Sequence, residues 1–313
     1  MGKMKQSYFS AGKLPGMFAL ILIASGLSGC GGEGNRTTGS SQLNLAITDA
    51  PVDDADQIVI RFTGLEIHSS SATNQSFVFC DNQLTATTEA CNNPTVKEID
   101  LLKLSGTNSK PLITDATIPV GNYQWIRLDL DNSNPGYIVP SAGGQHLLTI
   151  PSGAQNGLKL NHAFTASKDG MISFTVDFDL RKSVHQTGSG DYTLRPTLRL
   201  VSNSNVGSIY GTVDSALNPD TCSPAVYLYE GENITADDEG GQGANPLTSA
   251  LVTLDTGTGK YVYEIGFVEA GNYSLAFTCE ADQDDSLIDD NINFAVTTNV
   301  VVSVNTATEN NIQ

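Results

Sequence analysis

The chain has 313 residues, of which 39% are hydrophobic, and a formal net charge of −18. That length supports two domains with cores of their own, and an acidity of this size repels phosphate backbones, which excludes nucleic acid as a partner. From Gly207 onward ten Asp and seven Glu face the single basic residue Lys260, so the excess is concentrated in the last third and also opposes adsorption to anionic lipid headgroups.

At the N-terminus Lys3 and Lys5 precede the apolar run Met-Phe-Ala-Leu-Ile-Leu-Ile-Ala from Met17 to Ala24, and small residues then lead to Leu27-Ser28-Gly29-Cys30. This is the layout of a secretory signal peptide, with an apolar run too short to span a bilayer. The four closing residues resemble the lipobox of bacterial lipoproteins. The resemblance implies that residues 1–29 are removed, that Cys30 carries the lipid (palmitate among its acyl chains), and that the protein meets the membrane through this N-terminal lipid. Residues 30–41 have the Gly, Ser, Thr and Asn composition of a flexible tether. Gly31, standing where an Asp would retain the protein at the inner membrane, implies by the same resemblance an outer-membrane location in a Gram-negative cell envelope.

Beyond the tether the pattern has period two. Leu43, Leu45 and Ile47 share a face, as do Ile58, Ile60 and Phe62, and later Ile126, Leu128 and Leu130. Short helical turns fit only near Ile99 to Leu104. Turn clusters at Asp131 to Gly136 and at Ser141 to Gly144 separate strands. Ile172, Phe174, Val176 and Phe178 alternate with Ser173, Thr175, Asp177 and Asp179, which predicts one buried and one wet face. A polar break at Val201 to Asn205 coincides with the change in charge and marks the boundary between a β domain at 42–201, expected to be an antiparallel sandwich or barrel, and an acidic β domain at 207–313 with some seven short strands. The fold class is therefore all-β, with two β-sandwich-type domains. Once Cys30 is set aside, four cysteines remain, and the simplest pairing is Cys80 with Cys91 and Cys222 with Cys279, which suits an oxidising compartment.

Residues 43–69, with the Asp49-Ala50-Pro51 turn entering a strand, and Ile118 to Tyr123 leading into Ile126-Arg127-Leu128, resemble the bacterial lipoprotein family DUF4382. That implies an envelope location and no particular activity. Gly211-Thr212-Val213, Ala250 to Leu254, Gly259-Lys260-Tyr261 and Ala270 to Leu275 resemble the carboxypeptidase-regulatory, transthyretin-like sandwiches, some of which are grouped with starch-binding-like folds. In that pattern Gly259 and Gly271 enter strands through tight turns where a positive φ is expected. Gly-Asn-Tyr occurs in both domains, at Gly121 and Gly271, and reads as one strand-entry device used twice.

No catalytic motif is present: there is no His-Glu-x-x-His, Gly-x-Ser-x-Gly or Gly-x-x-x-x-Gly-Lys. His68, His146, His162 and His185 sit among strand and turn residues of the first domain, and Asp177 with Asp179 reads either as a carboxylate pair or as solvated strand positions. Asp282, Asp284, Ser286 and Asp290 fall at positions one, three, five and nine of an EF-hand-like loop, which offers hard oxygen ligands for Ca2+. Leu287 at the glycine position and Asn293 at the glutamate position depart from that pattern, and a solvated acidic loop is the plainer reading. Asp53, Asp54 and Asp56 form a second acidic cluster, read as a turn. Tyr227 with Tyr229, and Tyr261 with Tyr263, share strand faces that would stack on sugar rings if exposed and pack in the core if not. Trp125, on the parity of Tyr123, is assigned to the core or to a domain contact. Taken together these features describe a non-catalytic, lipid-anchored envelope protein that acts as a binding, adhesion or assembly module toward an envelope protein or a glycan. The second reading is a carbohydrate-binding lipoprotein that uses the C-terminal sandwich with Ca2+.

Overall fold

The computed structural model describes residues 39–50, 55–80, 91–151, 154–218 and 221–313. The signal sequence, Cys30, most of the tether, Asp53 and Asp54 lie outside them. Thr38–Gln313 forms one compact unit that is nearly all β, because alternating apolar residues bury one face of each strand while β-branched and aromatic side chains fit the pleat.

Residues 40–202 build two sheets. The first places Thr197–Ser202, Met171–Asp179, Ser40–Ala50 and Lys110–Pro119 side by side, and the second is built around Ala55–Ser69, Gly121–Leu130 and Gly136–Pro140 with shorter strands at its margins. The alternating apolar sets identified in the sequence meet between them: Leu43, Ile47, Ile60, Phe62, Ile126 and Phe174 are each under 5% exposed within one core. The expected all-antiparallel arrangement does not hold at the centre of the first sheet. Ser40–Ala50 runs parallel to Met171–Asp179, Leu43 pairing with Ile172 and Ala50 with Asp179. Most of the second sheet lies between these strands in the chain, so no hairpin turn dictates their relative direction. The 3-10 turn Leu101–Leu104 falls where a helical turn fits the sequence, and the one-turn helix Leu180–Ser183 had no periodic signal.

Residues 206–312 form two four-stranded sheets, one holding Val206–Val213 and Lys260–Glu269, the other Ala225–Glu230, Gly271–Thr278 and Phe294–Val302. Ile209, Leu228, Tyr263, Ile265, Leu275 and Phe277 fill the space between them. Both expected disulfides are formed, Cys80–Cys91 across 11 residues and Cys222–Cys279 across 57. The loop-entropy account assigns them roughly 3 and 4 kcal/mol of stabilisation respectively.

The two halves share a corner. Lys110–Pro119 and Gly121–Leu130 belong to different sheets and are separated by Val120 alone, and Ala270 is likewise the only residue between Lys260–Glu269 and Gly271–Thr278. In each case the tyrosine two residues past the glycine donates its hydroxyl back to the carbonyl four residues upstream, Tyr123 to Pro119 and Tyr273 to Glu269, both at 2.8 Å. The bond fixes the angle at which the chain leaves one sheet and joins the other, as a tyrosine corner does. The glycines serve close approach. A Cβ on Gly121 would lie 2.9 Å from Ser71 Oγ, and one on Gly271 would lie 3.2 Å from the Tyr273 ring. The positive φ expected at both C-terminal glycines occurs at Gly259 (φ 69°) and not at Gly271.

Trp125 also departs from its expected place. A register shift between His68 and Ser69 pairs Trp125 with His68 and Tyr123 with Ser69. The bulge turns Tyr123 into the core and leaves Trp125 half-buried on the outer face, stacked on His68 at 4.7 Å with the Lys159 ammonium 4.8 Å from the indole.

Tyr123→Phe and Tyr273→Phe keep the ring and remove the corner bond. Each is expected to lower stability by about 0.5–1.5 kcal/mol in urea unfolding, the net worth of one part-buried hydrogen bond. Wild-type midpoints would show that the corners are held by ring packing alone.

Candidate functional site

The second face of Met171–Asp179, predicted to be wet, is covered: Thr175, Asp177 and Asp179 are at most 6% exposed. The cover is the C-terminal sandwich. Thr48, Asp49 and Asp177 from the first half line a narrow crevice with Thr248, Ser249 and Ile265 from the second. A strand pattern read alone cannot anticipate this, because the alternation of polar residues is the same whether the polar face meets water or another domain.

Burying these acids requires cations, and the first half supplies them. Arg199 pairs with Asp177. Asp179 caps the helical turn Leu180–Ser183 by accepting from the Lys182 amide at 3.2 Å. The turn projects two basic side chains into the second half. Lys182 Nζ lies 3.2 Å from Asp179 Oδ2 and 3.8 Å from Glu239 Oε1 and donates to the Pro246 carbonyl at 2.7 Å. Arg181 donates to the Ala281 carbonyl at 2.6 Å and lies over the Tyr227 ring. Burial raises the Asp179 carboxyl above its usual range while Lys182 opposes the rise. Glu239, fully buried, is pushed up to about 8, first by burial and then by Asp179. Asp49 is also buried and raised well above an ordinary aspartate, by burial first and then by Asp177 and Asp179, with the Leu180 amide as the partial offset.

Beyond this seam, two loops of the C-terminal sandwich come together at residues 231–247 and 280–293. Carboxylate oxygens of Asp238, Asp284 and Asp290 lie within 4.8 Å of one another, and those of Asp237, Asp238 and Asp289 do the same. Only two of the four residues expected to form an EF-hand-like loop take part. Asp282 is exposed on the 3-10 turn Ala281–Gln283, and the Ser286 hydroxyl points to the Arg181 carbonyl at 3.5 Å. Leu287, standing where that pattern has a glycine, is 57% exposed, and the Asp285 amide donates to Asp290 Oδ2 at 2.7 Å. Asp238, absent from the sequence-based set, belongs to both groups. The run Asp237-Asp238-Glu239-Gly240-Gly241 was the signal for it, since acids followed by glycines let a backbone fold closely around carboxylates. A Cβ on Gly241 would sit 2.3 Å from Asp238 Oδ1.

The tyrosines are structural, which corrects the sugar-stacking assignment. Tyr227 and Tyr229 are at most 1% exposed, Tyr263 is 3% exposed, and Tyr261 is half-buried against the core. Tyr227 and Tyr229 face away from the main core into a small cluster with Ala276 and Ala281 beneath the acidic loops. Their hydroxyls hold those loops, Tyr227 donating to Asp284 Oδ2 at 2.5 Å and Tyr229 to the Asp237 carbonyl at 2.6 Å. The Tyr263 hydroxyl donates to the Asn310 carbonyl at 2.7 Å. No open ring face is left for a sugar at Tyr227, Tyr229 or Tyr263. The histidines are engaged as well: His146 against Tyr192, His162 against Phe174, His68 on Trp125, and His185 Nε2 at 3.0 Å from the Lys182 carbonyl.

The two halves also frame an open cleft of about 640 Å³, lined by Leu102, Asn108, Tyr210, Leu251, Glu264 and Asn311 among others. Tyr210 is 42% exposed there. At the cleft the Thr107 hydroxyl donates to Glu264 Oε1 at 3.1 Å, crossing between the halves.

Lys182→Met is expected to destabilise the chain by about 3–5 kcal/mol, because it leaves Asp179 and Glu239 buried without their cation; a loss under 1 kcal/mol in denaturant unfolding would remove Lys182 from this role. Asp49 gives the opposite sign. Its raised carboxyl keeps its proton in the folded chain where the unfolded chain has lost it. Its contribution is therefore complete below about pH 4, the ordinary aspartate value, and is lost as pH rises towards the raised value. Asp49→Asn should unfold at a higher temperature than wild type at pH 7, with the gap closing towards pH 4; a lower melting temperature at pH 7 would show an ionised, well-paired Asp49.

Comparison with known proteins adds the family. No curated protein matches the sequence. Among solved structures, the chain is similar to the Bacillus anthracis TIE protein at 10% identity and a TM-score of 0.21, covering 88% of this chain and 34% of that one, so it spans about a third of that protein's length. It is also similar to GBS52, the minor pilin of Streptococcus agalactiae (13% identity, TM-score 0.20, 86% and 94% covered), and to the fimbrial anchor protein Mfa2 of Porphyromonas gingivalis (10%, 0.21, 83% and 83%). TM-scores this low carry no argument about function. The family model described as a domain of unknown function (DUF4382) matches residues 40–196, half of the chain, and the protein belongs to that family.

Proposed function

We propose that the protein is a non-catalytic module of the bacterial cell envelope, held at the outer membrane by lipid on Cys30 and a tether, that binds, adheres to or assembles with another envelope molecule. The observation that carries this reading is the cleft between the two halves. Its volume of about 640 Å³ falls within the usual range of ligand sites, and its lining mixes apolar Leu102 and Leu251 with polar Asn108, Glu264 and Asn311 around an exposed tyrosine. A partly open aromatic face beside amide and carboxylate groups suits either a sugar or a polypeptide segment. Asp177 is engaged with Arg199 and the four histidines with rings or a carbonyl, and none of these residues lines the cleft. The two disulfides suit display outside the cytoplasm. The C-terminal sandwich, with its left-handed Gly259 turn before Lys260–Glu269, supports a carboxypeptidase-regulatory-like domain starting near Gly207, with the DUF4382 domain before it.

Two measurements test the reading. Palmitate labelling in cells is expected to depend on Cys30, and labelling that persists in Cys30→Ala removes the anchor. The full chain in detergent is then screened against a glycan array and cross-linked to envelope proteins in cells. Binding that weakens at least tenfold in Tyr210→Ala places the ligand in the cleft; full binding by Tyr210→Ala, or turnover of a captured ligand, overturns the assignment.

A further inference from the structure

The two acidic loops at 231–247 and 280–293 hold more negative charge than the fold itself needs. Asp237, Asp238, Asp284, Asp289 and Asp290 bring carboxylate oxygens into two overlapping triads, each within 4.8 Å, with Asp238 common to both. Like charges at such distances repel, and a folded surface would be expected to spread them. Here the backbone instead gathers them. The Asp290 amide donates to Asp238 Oδ2 at 2.7 Å, the Glu239 amide to Asp284 at 3.2 Å, the Asp285 amide to Asp290 Oδ2 at 2.7 Å and the Gly243 amide to Asp237 Oδ2 at 2.6 Å. The buried Tyr227 hydroxyl orients Asp284 from beneath.

A second observation is independent of the cluster. Asp238 is 1% exposed, and its Oδ1 is buried without a hydrogen-bond partner. A buried carboxylate oxygen left unpartnered costs free energy, and this one belongs to the one residue shared by both triads. The spacing suits one kind of ligand. Calcium takes six to eight oxygens at roughly 2.3–2.6 Å, so oxygens that share one ion lie no more than about 5 Å apart, a limit that both triads meet, since their oxygens all lie within 4.8 Å of one another.

We infer that Asp238, Asp284 and Asp290, with Asp237 and Asp289 completing the shell, form a calcium-binding site that joins the 231–247 loop to the 280–293 loop. The site differs from an EF-hand in drawing its ligands from two loops, and Asp282 and Ser286 stand outside it. Its placement gives the ion a mechanical role. Arg181 and Lys182 land on the same two loops, at the Ala281 and Pro246 carbonyls, so fastening the loops to each other also fastens the C-terminal sandwich to the first half.

The test uses the full chain in detergent after exhaustive chelation. Isothermal titration with Ca2+ is expected to show saturable binding in the micromolar to millimolar range, with a melting temperature that rises with calcium as linkage requires. Tb3+ is expected to occupy the same site and to emit under tyrosine excitation, because the Tyr227 ring lies directly beneath Asp284. Asp238→Asn and Asp290→Asn, which preserve side-chain shape, should weaken calcium binding at least tenfold and abolish the terbium signal, while Asp282→Asn should leave both unchanged. The inference is overturned if wild type shows neither calcium heat nor terbium emission at millimolar ion, if Asp238→Asn binds as wild type does, or if Asp282→Asn is the variant that loses binding.

Discussion

The structure depends on a helical turn of four residues, Leu180–Ser183, placed where a basic pair from one half meets the acidic surface of the other. From Gly207 onward the chain has a single cation of its own, Lys260, so the acids facing the seam are neutralised by the first half or not at all. Lys182 lies between Asp179 and Glu239, both nearly inaccessible, where the effective dielectric is low and each pairing is much stronger than at the surface. Its ammonium and the Arg181 guanidinium also satisfy backbone carbonyls of both acidic loops. The charge asymmetry of the sequence is therefore also a means of specifying how the two sandwiches meet, since the acidic half is completed by cations from the other half.

The same seam separates what the sequence could show from what it could not. Alternation identified the strands and the apolar faces around Leu43, Ile60, Ile126 and Phe174, because a period of two is a local property, and cysteine parity identified both disulfides. The burial of Asp177 and Asp179 escaped, since a polar face reads alike whether it meets water or a second domain. The parallel pairing of Ser40–Ala50 with Met171–Asp179 escaped because it joins residues some 130 apart. One bulge was enough to put Tyr123 and Trp125 on opposite faces.

At the acidic loops the sequence led partway. Asp284 and Asp290 were visible as closely spaced oxygens within one segment, but their common partner Asp238 comes from a loop more than forty residues earlier. The tyrosines misled for a related reason. Tyr227 and Tyr229 alternate as residues on one face of a sheet should, and that face does lie outside the main core. What covers it is not solvent but the acidic loops themselves, whose carboxylate and carbonyl the two hydroxyls bind. An aromatic pair on an outer face is an open platform only when nothing else in the chain needs its hydroxyls.

The two corners show how the chain reaches this arrangement with so little helix. Each half must move a strand from one sheet to its facing sheet across a single residue, Val120 or Ala270. Each does so with a glycine that admits close packing and a tyrosine whose hydroxyl returns to the carbonyl four residues back. The second corner leads directly into Gly271–Thr278, the strand that pairs with Ala225–Glu230 and so sets the depth of Tyr227 and Tyr229 beneath the acidic loops. The position of Asp284 thus depends on the corner at Ala270, through a pair of strands and one phenolic hydroxyl. The links in that path are hydrogen bonds and strand registers, so the sandwich beneath positions the acidic loops. Loops held in this way can keep like charges close together, where free loops would let them move apart.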